Sequence, residues 1–563
     1  MSAQPDQVAH TPSLVAGSDA SARAAMAAPG LALAEVLPGS RVGRSAVSIF
    51  DAMQQAAAAQ GWFAAAALLS QRMRAARELR SPERRFVADA LHDLVRGLRR
   101  LRHLAVPAGS QAAARRPGAL MLYLALLCDQ YAAAGEGAEG RLPKALLSAA
   151  GAAGLDTRVL LERLAGLRRD EPRLVDLLGG PSASQLGPRV GGQAGDQGSG
   201  QASGQASGQA SEGLSRIAEV LSYPDWIARL LIDDLGAEAG VAVLRAQNQR
   251  APLTVRANLL RCTRDQLAER LLREGIESTP TALAPHGLQL HTRTNAYGLA
   301  AFQEGWFELQ DEGSQLIAEL VQPPPGSLIV DACAGAGGKT LALGALLHNR
   351  GRLVAIDVDR DKLDELKRRA RRAGLTNVQV LCTSMAEGPD ADRGASEAAG
   401  RRVPFQPLPA DLYSRGAARV LVDAPCSGLG VLRRNPEARW RLRREDLDEI
   451  GAKQRAILSG AARLLQPGGR LIYATCTILR RENDDVVAAL LRDRPDFSIV
   501  PISEVLPGLR TERLPERLPD RDGPAGPAPA QAQAQDDGRF LRTLPAEAHG
   551  PDGFFAAVLE RRA

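Results

Sequence analysis

The stretch "SLIVDACAGAGGKTLALGALL", residues 327–347, decides the fold class. A short apolar run leads into a glycine-rich turn, and leucines and alanines at helical spacing follow it. Residues 351–374, "GRLVAIDVDRDKLDELKRRARRAG", repeat this order of strand and helix. Such alternation predicts an α/β domain with a doubly wound, mainly parallel sheet and helices on both faces.

Four later segments continue the pattern as predicted strands. They are "NVQVLCTS" (377–384), "ARVLVDAPCSGLG" (418–430), "GGRLIYATCT" (468–477) and "DGFFAAVLER" (552–561). Two inserts, near 387–417 and 519–538, have the composition of long loops or disorder. We assign this whole region to residues 321–563.

Composition divides the preceding part of the chain into four regions. Residues 1–44 lack a basic segment followed by an apolar one, which predicts a disordered tail rather than a signal peptide. Residues 45–180 show helical spacing. Residues 181–213 are a Gly/Gln/Ala/Ser repeat with too few apolar residues to fold, which predicts a flexible linker. Residues 214–320 alternate between short strands and helices, as in a small α+β module.

Charge is informative only locally. The net charge is +6 and the pI about 9.2, but only five of the 70 basic residues are lysines, as arginine-rich codon usage would produce. Residues 72–102 hold ten arginines against four acidic residues. A helix is predicted here with Ser81 at the N-cap, Pro82 at the first helical position, and an apolar stripe of Phe86, Ala90, Leu94 and Leu98. Its arginines fit either a solvated face or a phosphate-binding surface.

Several classes of protein are disfavoured. No apolar run approaches the roughly 20 residues of a membrane span. The six cysteines are scattered without metal-ligand spacing. We therefore expect a cytoplasmic, reduced monomer with no metal and no membrane association.

Candidate cofactor residues follow the first two strands. Gly335, Gly337 and Gly338 lie in the first strand-to-helix turn, and Asp357 ends the next strand. Ligands of open parallel sheets bind at this edge, and a carboxylate there suits ribose hydroxyls. A P-loop would need glycine at position 333, where Cys333 stands, and GxGxxG would need glycine at Thr340. The pattern alone fits NAD, FAD or S-adenosylmethionine (SAM).

Two cysteines and a carboxylate occupy the ends of two later strands. Cys426 follows Asp423 in "DAPCSG", and Cys476 lies in "ATCT". A single buried cysteine at a strand end is usually structural. Both together, with Asp423 and the downstream "RRNP", indicate a catalytic pair.

These motifs resemble those of the RsmB/Nop/Sun family of SAM-dependent RNA cytosine-5 methyltransferases, in particular its bacterial rRNA methyltransferase B-like members. The resemblance covers about residues 300–563 and rests on "ELQDEGSQLIAELV", "DACAGAGGKT", "AIDVD", "LVDAPCSGLGVLRRNPEARW" and "YATCTILRRENDDVV". It implies a Rossmann-like class I SAM methyltransferase domain. It also implies that residues 214–320 form a small RNA-binding subdomain and residues 45–180 a helical, NusB-like RNA-binding domain.

The resemblance also implies residue roles. Cys476 is the nucleophile that attacks C6 of the target cytosine, Asp423 bonds N3 and the exocyclic amine, and Cys426 assists loss of the C5 proton. Asp357 and Asp423 contact SAM together with the glycine-rich loop, whose residues are Cys333, Ala334, Gly335, Ala336, Gly337, Gly338 and Lys339. RNA is the implied partner, with small-subunit rRNA favoured over tRNA.

The chain departs from the family pattern at three places. Ala336 and Arg480 stand where proline is usual, and the third motif has no acid before Glu387. Thr383 or Ser384 are the candidate replacements near the adenine. Two alternatives remain: an RNA-binding assembly factor with a degenerate methyltransferase domain, and a DNA cytosine-5 methyltransferase in which Cys426 would attack.

Overall fold

The structure is a computed structural model. It describes residues 40–60, 79–105, 157–178, 211–386 apart from 293, 395–398, 401–509, 538–545 and 550–563, with residues 38, 68, 71–73, 75 and 76. Residue contacts divide the chain into two compact units, Met1–Pro172 and Arg173–Ala563, and each is described by itself. Most of the predicted tail, most of the predicted linker and nearly all of the 519–538 insert lie outside the described residues.

The described part of the N-terminal unit is helical, as predicted. Its helices are α1 (Arg41–Gln60), α2 (Ser81–Arg96), α3 (Leu98–Ala105) and α4 (Thr157–Asp170). The four apolar residues of the predicted stripe are all buried, three of them in α2 and Leu98 at the start of α3.

Two boundaries in this unit differ from the prediction. Helix α1 begins at Arg41, inside the segment assigned to the tail. The N-cap of α2 is Arg80, so the assignment of Ser81 to that position is wrong by one residue. The backbone N–H of Arg80 donates to the Glu83 carboxylate at 2.7 Å, which closes the first turn one residue earlier.

The C-terminal unit begins with helices and a small sheet. A helix described over residues 211–220 is α5, so the last three residues of the predicted linker are helical. The elements that follow are α6 (Asp225–Leu235), α7 (Ala237–Ala246), β1 (Leu253–Ala257), α8 (Arg264–Arg273), β2 (Ser278–Pro280), β3 (Gly287–Leu290), α9 (Ala300–Gln303) and β4 (Phe307–Leu309). The four strands form an antiparallel sheet in the order β2–β3–β1–β4.

A large mixed sheet follows, in the order β12–β14–β11–β10–β5–β6–β7 with β13 also paired to β14. The strands are β5 (Leu328–Asp331), β6 (Arg352–Asp357), β7 (Val378–Cys382), β10 (Ala417–Asp423), β11 (Leu465–Thr475), β12 (Phe497–Val500), β13 (Phe540–Thr543) and β14 (Phe554–Arg561). Strands β5, β6, β7, β10 and β11 are parallel, whereas β14 runs antiparallel to its neighbours. The predicted α/β class and class I SAM methyltransferase fold are confirmed.

Helices cover both faces of this sheet. They are α10 (Glu312–Leu320), α11 (Gly338–Leu346), α12 (Arg360–Ala373), α13 (Ala410–Ser414), α14 (Ala438–Arg441), α15 (Asp446–Ala462), α16 (Asp484–Asp493) and α17 (Ile502–Val505). Ile329 and Leu353 belong to one core, while their chain neighbours Val330 and Val354 belong to the other. Burial on both faces explains why these strands are continuous apolar runs.

The insert near 387–417 is not simply a loop, which corrects the prediction. Strands β8 (Ala395–Ala398) and β9 (Arg401–Pro404) pair antiparallel, and α13 follows them. The segment has few large apolar residues, so its sequence gives no strand signal.

The chain order of the strands creates a switch point. From β5 the chain proceeds outward to β6 and β7, and then returns to β10 on the other side of β5. Ligands of open α/β sheets bind at the carboxyl ends of the strands at such a point. Among the described residues, no helix has the length and apolar character needed to cross a membrane.

Candidate active site

A cleft of about 440 Å³ lies at this switch point. The loop residues 333–336, Gly338 and Lys339 line it, together with Asp423. Their role in binding a cofactor stays a prediction. Asp311, Arg369 and Arg434 also line it. Asp311 and Arg434 lie in motifs that carry the family resemblance, but the sequence gave neither a role at the cofactor site, and it did not single out Arg369. Neither Gly337 nor Asp357 nor the two cysteines belong to the lining of this cleft.

Two of the three glycines of the loop, Gly335 and Gly337, meet different surroundings. Gly337 has φ +87°, and a Cβ added there would lie 2.6 Å from Cγ of Leu366. Gly335 has φ +52°, and a Cβ there would meet no atom within 4 Å. Gly337 is therefore required by packing, whereas Gly335 keeps space open in the cleft.

Arginines from distant parts of the chain hold the carbonyl groups of this loop. Arg369 of α12 donates to the carbonyl of Ala336 at 2.7 Å, and Arg256 of β1 donates to that of Gly338 at 2.9 Å. Arg369 also binds Glu308 at 3.0 Å, and Arg256 binds Gln310. The cofactor loop is thus tied to β4 and to the residue that follows it.

Sequence reasoning missed both arginines for identifiable reasons. Arg369 lies in "KRRARRAG", where it is one of several arginines of a seemingly solvated helix. Arg256 lies inside a strand and is only 4% exposed. Burial lowers its pKa to about 10, so it remains cationic at neutral pH.

Asp357 and Asp331 lie at the carboxyl ends of two strands and differ in how many of their oxygens accept a hydrogen bond. Asp357 accepts from the backbone N–H groups of Gly335 at 2.8 Å and Asp359 at 2.9 Å. Asp331 is buried and accepts from Thr340 Oγ1 at 2.7 Å through Oδ2. Among the described residues, Oδ1 of Asp331 has no hydrogen-bond partner. Burial raises the pKa of Asp331 to about 7.

Asp423 forms an ion pair with Lys339, with 2.6 Å between Oδ2 and Nζ. The pair joins the end of β10 to the first turn of α11, and both side chains face the cleft. The sequence identified each residue separately but gave no sign of their contact.

The two cysteines come together in the loops that follow β10 and β11. Because β10 and β11 are parallel neighbours, with Asp423 opposite Ala474, the residues after each strand emerge side by side. The Sγ atoms of Cys426 and Cys476 lie 3.3 Å apart, and both residues are partly exposed free thiols. The pKa of Cys426 is well above its usual value, first because of its hydrogen bond with Cys476 and then because of burial.

The arginines of "RRNP" have a structural partner. Arg433 and Arg434 both bind the buried carboxylate of Asp552, and Arg434 also binds Asp311 at 2.7 Å. Burial, followed by the charge of Asp552, raises the pKa of Asp311 to about 6. The motif thus fastens the loop after Cys426 to the residues preceding α10 and β14.

The candidate adenine contacts stay a prediction. Thr383 is buried, Ser384 accepts from the backbone N–H of Ala386 at 3.1 Å, and neither lines the cleft. Within the described ranges, no group of His, Cys, Asp and Glu side chains is arranged to hold a metal ion.

Comparisons with known proteins agree with this architecture. A family model described as 16S rRNA methyltransferase RsmB/F matches residues 318–560, and a model of the ferredoxin-like domain of RsmF/B-like methyltransferases matches residues 223–296. The probable ribosomal RNA small subunit methyltransferase B of Bacillus subtilis is 33% identical over 347 residues, which are 62% of this chain and 68% of that protein. The ribosomal RNA small subunit methyltransferase B of Vibrio cholerae is 35% identical over 292 residues, 51% of this chain and 62% of that protein.

Among solved structures, that of PH0851 has a TM-score of 0.58 at 22% identity and covers 92% of this chain and 98% of its own. At this identity the likeness concerns the fold alone. The chain thus spans roughly two thirds of the length of the curated relatives that it matches.

Proposed function

The chain belongs to the RsmB/F family of 16S rRNA methyltransferases with SAM as the cofactor, as predicted, and from this premise we propose that it methylates C5 of a cytosine in small-subunit rRNA. The observation that carries the proposal is the thiol pair of Cys426 and Cys476, which follows the strand that ends in Asp423, the partner of Lys339. This arrangement supplies both a nucleophile and a group that binds the cytosine edge.

The residues of the cleft fit SAM. The open space beside Gly335 leaves room for the cofactor next to the loop backbone. Oδ1 of Asp331, which has no partner among the described residues, would accept from the ammonium group of SAM. Asp357 is not in the cleft lining but is fixed against the loop by the N–H of Gly335, and it would accept from the ribose hydroxyls. When bound, SAM supplies an electrophilic methyl group.

The protein groups then divide the chemistry. C5 of cytosine is a poor nucleophile until the sulfur of Cys476 forms a bond to C6, which makes C5 electron-rich. Asp423 bonds N3 and the exocyclic amine and favours this adduct. After C5 takes the methyl group, loss of its proton with the assistance of Cys426 returns the electron pair that expels Cys476.

The raised pKa of Cys426 supports this division of roles. Cys426 is a neutral thiol at the start of the cycle, and a thiol is a weak nucleophile. Two thiolates 3.3 Å apart would also repel each other strongly. With Cys426 as the thiol, Cys476 is the sulfur that remains to attack C6.

The test is a denaturing gel of protein incubated with SAM and labelled rRNA. Cys426→Ala should methylate once and stall, which gives a retarded protein–RNA band, whereas Cys476→Ala should give none. Cys262→Ala removes a buried thiol from the small subdomain and serves as the control. The reverse pattern would make Cys426 the nucleophile, as in DNA cytosine-5 methyltransferases.

The substrate is tested separately with radiolabelled methyl transfer to rRNA, tRNA and DNA. Transfer to rRNA is expected, and bisulfite sequencing of RNA from a deletion strain would then locate the cytosine. Transfer to tRNA alone would replace the proposed substrate. A protein that binds RNA but transfers no methyl group would be an assembly factor.

A further inference from the structure

Glu482 is a fully buried carboxylate between the two cysteine motifs, at the end of the 3-10 helix Arg480–Glu482. Its oxygens accept from the backbone N–H of Ser427 at 2.8 Å and from Ser427 Oγ at 2.6 Å. They also accept from Thr477 Oγ1 at 3.2 Å and from Gln454 Nε2 at 3.1 Å. Ser427 follows Cys426 and Thr477 follows Cys476, so one carboxylate holds the neighbours of both thiols.

The backbone that carries Glu482 is also fixed. The hydroxyl of Tyr473, in β11, donates to the carbonyl of Glu482 at 2.6 Å. The side chain of Asn483 accepts from Thr475 Oγ1 at 2.6 Å and donates to the carbonyl of Thr477 at 3.1 Å. The carboxylate therefore has little freedom to move relative to β11.

The loop after β10 is held to the same frame. Gln454 of α15 donates to the carbonyl of Pro425 as well as to Glu482. The backbone N–H of Gly430 donates to the carbonyl of Cys476 at 3.0 Å. A Cβ at Gly430 would lie 2.9 Å from that carbonyl oxygen, so the two motifs are in close contact.

Burial raises the pKa of Glu482, which shows that its charge is disfavoured there. Its four hydrogen-bond donors offset that cost. The carboxylate does not line the cofactor cleft, and in the described part of the chain its hydrogen bonds go to Ser427, Thr477 and Gln454 rather than to either sulfur atom. Its contacts thus fit a role in placing the thiols rather than in the reaction itself.

We propose that Glu482 is the positioning residue that sets the spacing between Cys426 and Cys476, and thereby the release of methylated RNA. The claim about the release of methylated RNA rests on the proposed function, whereas the claim about the spacing of the two thiols does not. Cys476 can form an adduct alone, but release requires Cys426 within reach of the adduct. Loss of Glu482 should therefore slow release more than adduct formation.

The spacing is tested without methyl transfer, by oxidation with the azo compound diamide. Two thiols lose two electrons and two protons and form a disulfide, while diamide is reduced to the hydrazine. Closure requires the sulfurs to approach from 3.3 Å to about 2.05 Å. The Cys426–Cys476 disulfide is measured by peptide mass spectrometry as the loss of two hydrogens.

The parent should form this disulfide quickly, and Glu482→Ala at least tenfold more slowly. Glu482→Gln keeps the shape and one acceptor oxygen, so it should restore most of the rate. Glu312 is the matched control, because it is also a buried carboxylate but binds the backbone N–H groups of Leu283 and Ala284. Glu312→Gln should close at the parent rate.

Methyl transfer gives the second measurement. Glu482→Ala should bind SAM within about twofold of the parent, lower kcat, and accumulate the protein–RNA adduct that the parent clears, whereas Glu482→Gln should recover most of kcat. Parent-like closure in folded Glu482→Ala without loss of kcat would overturn the inference. A parent that closes the disulfide but methylates no RNA would refute the proposed function and leave the spacing role supported.

Discussion

Gly335 and Gly337 of the cofactor loop predict different effects of the same substitution. Gly335→Ala places a methyl group in open space that belongs to the cleft, whereas Gly337→Ala drives it into Leu366 at 2.6 Å. Both residues have positive φ, so each substitution costs about 1–2 kcal/mol in backbone strain. Only Gly337→Ala adds overpacking, at about 1–3 kcal/mol.

Gly337→Ala should therefore lower the free energy of unfolding by about 2–5 kcal/mol, and Gly335→Ala by about 1–2 kcal/mol. SAM affinity should show the opposite ranking, with the larger loss in Gly335→Ala. The methyl group of Gly335→Ala competes with the cofactor for space, and the resulting clash of about 1–3 kcal/mol corresponds to a loss of roughly fivefold to 150-fold in affinity.

Urea denaturation gives the free energies of unfolding, and calorimetric titration of the folded variants with SAM gives the affinities. The informative comparison is between the two variants, because both add one methyl group to the same loop. Gly335→Ala with parental SAM affinity would mean that the cofactor does not occupy the space beside Gly335. Equal stability of the two variants would refute the packing role of Gly337.

Three further outcomes are expected. Asp357→Ala should weaken SAM binding by about tenfold to a hundredfold in calorimetry, since a charge-assisted acceptor is lost; unchanged affinity would remove the ribose assignment. If the N-terminal helices bind phosphates, replacing four arginines by glutamine should flatten the salt dependence of RNA affinity. The four are Arg84, Arg85, Arg99 and Arg100. A variant with the salt dependence of the parent would mean that these arginines only form a solvated face. The folded-state pKa of Asp331 is raised to about 7, so this group lowers the free energy of unfolding as pH rises from about 4 to about 7. Asp331→Asn should remove that loss, at most roughly 4 kcal/mol, in urea titrations at both pH values, and an unchanged pH dependence would contradict the shift.

The strand ends of the site were predictable from the sequence because parallel strands buried on both faces are apolar runs with clear limits. Asp357, Asp423 and the two cysteines each follow such a run. Since carboxyl ends of parallel strands share one edge, their proximity followed from the fold alone.

The side-chain contacts that hold this site were not predictable in the same way. The Arg256–Gly338 and Arg369–Glu308 contacts join residues 82 and 61 positions apart, and arginine is common throughout the chain. Glu482 stands in "RRENDD", which has the charged composition of a solvated turn. Only the fold shows that its carboxylate is buried.

The binding of Arg256 to the carbonyl of Gly338 limits how this gene can be recombined with its relatives. A chimera with a crossover between residues 257 and 337 would take the arginine from one parent and the loop from the other. Gln247 likewise donates to the carbonyl of Leu429 at 2.6 Å. The segment before β1 should therefore come from the same parent as the methyltransferase domain. Exchanges that leave the catalytic region intact should therefore fall before residue 211, and the methyltransferase domain should not be portable by itself.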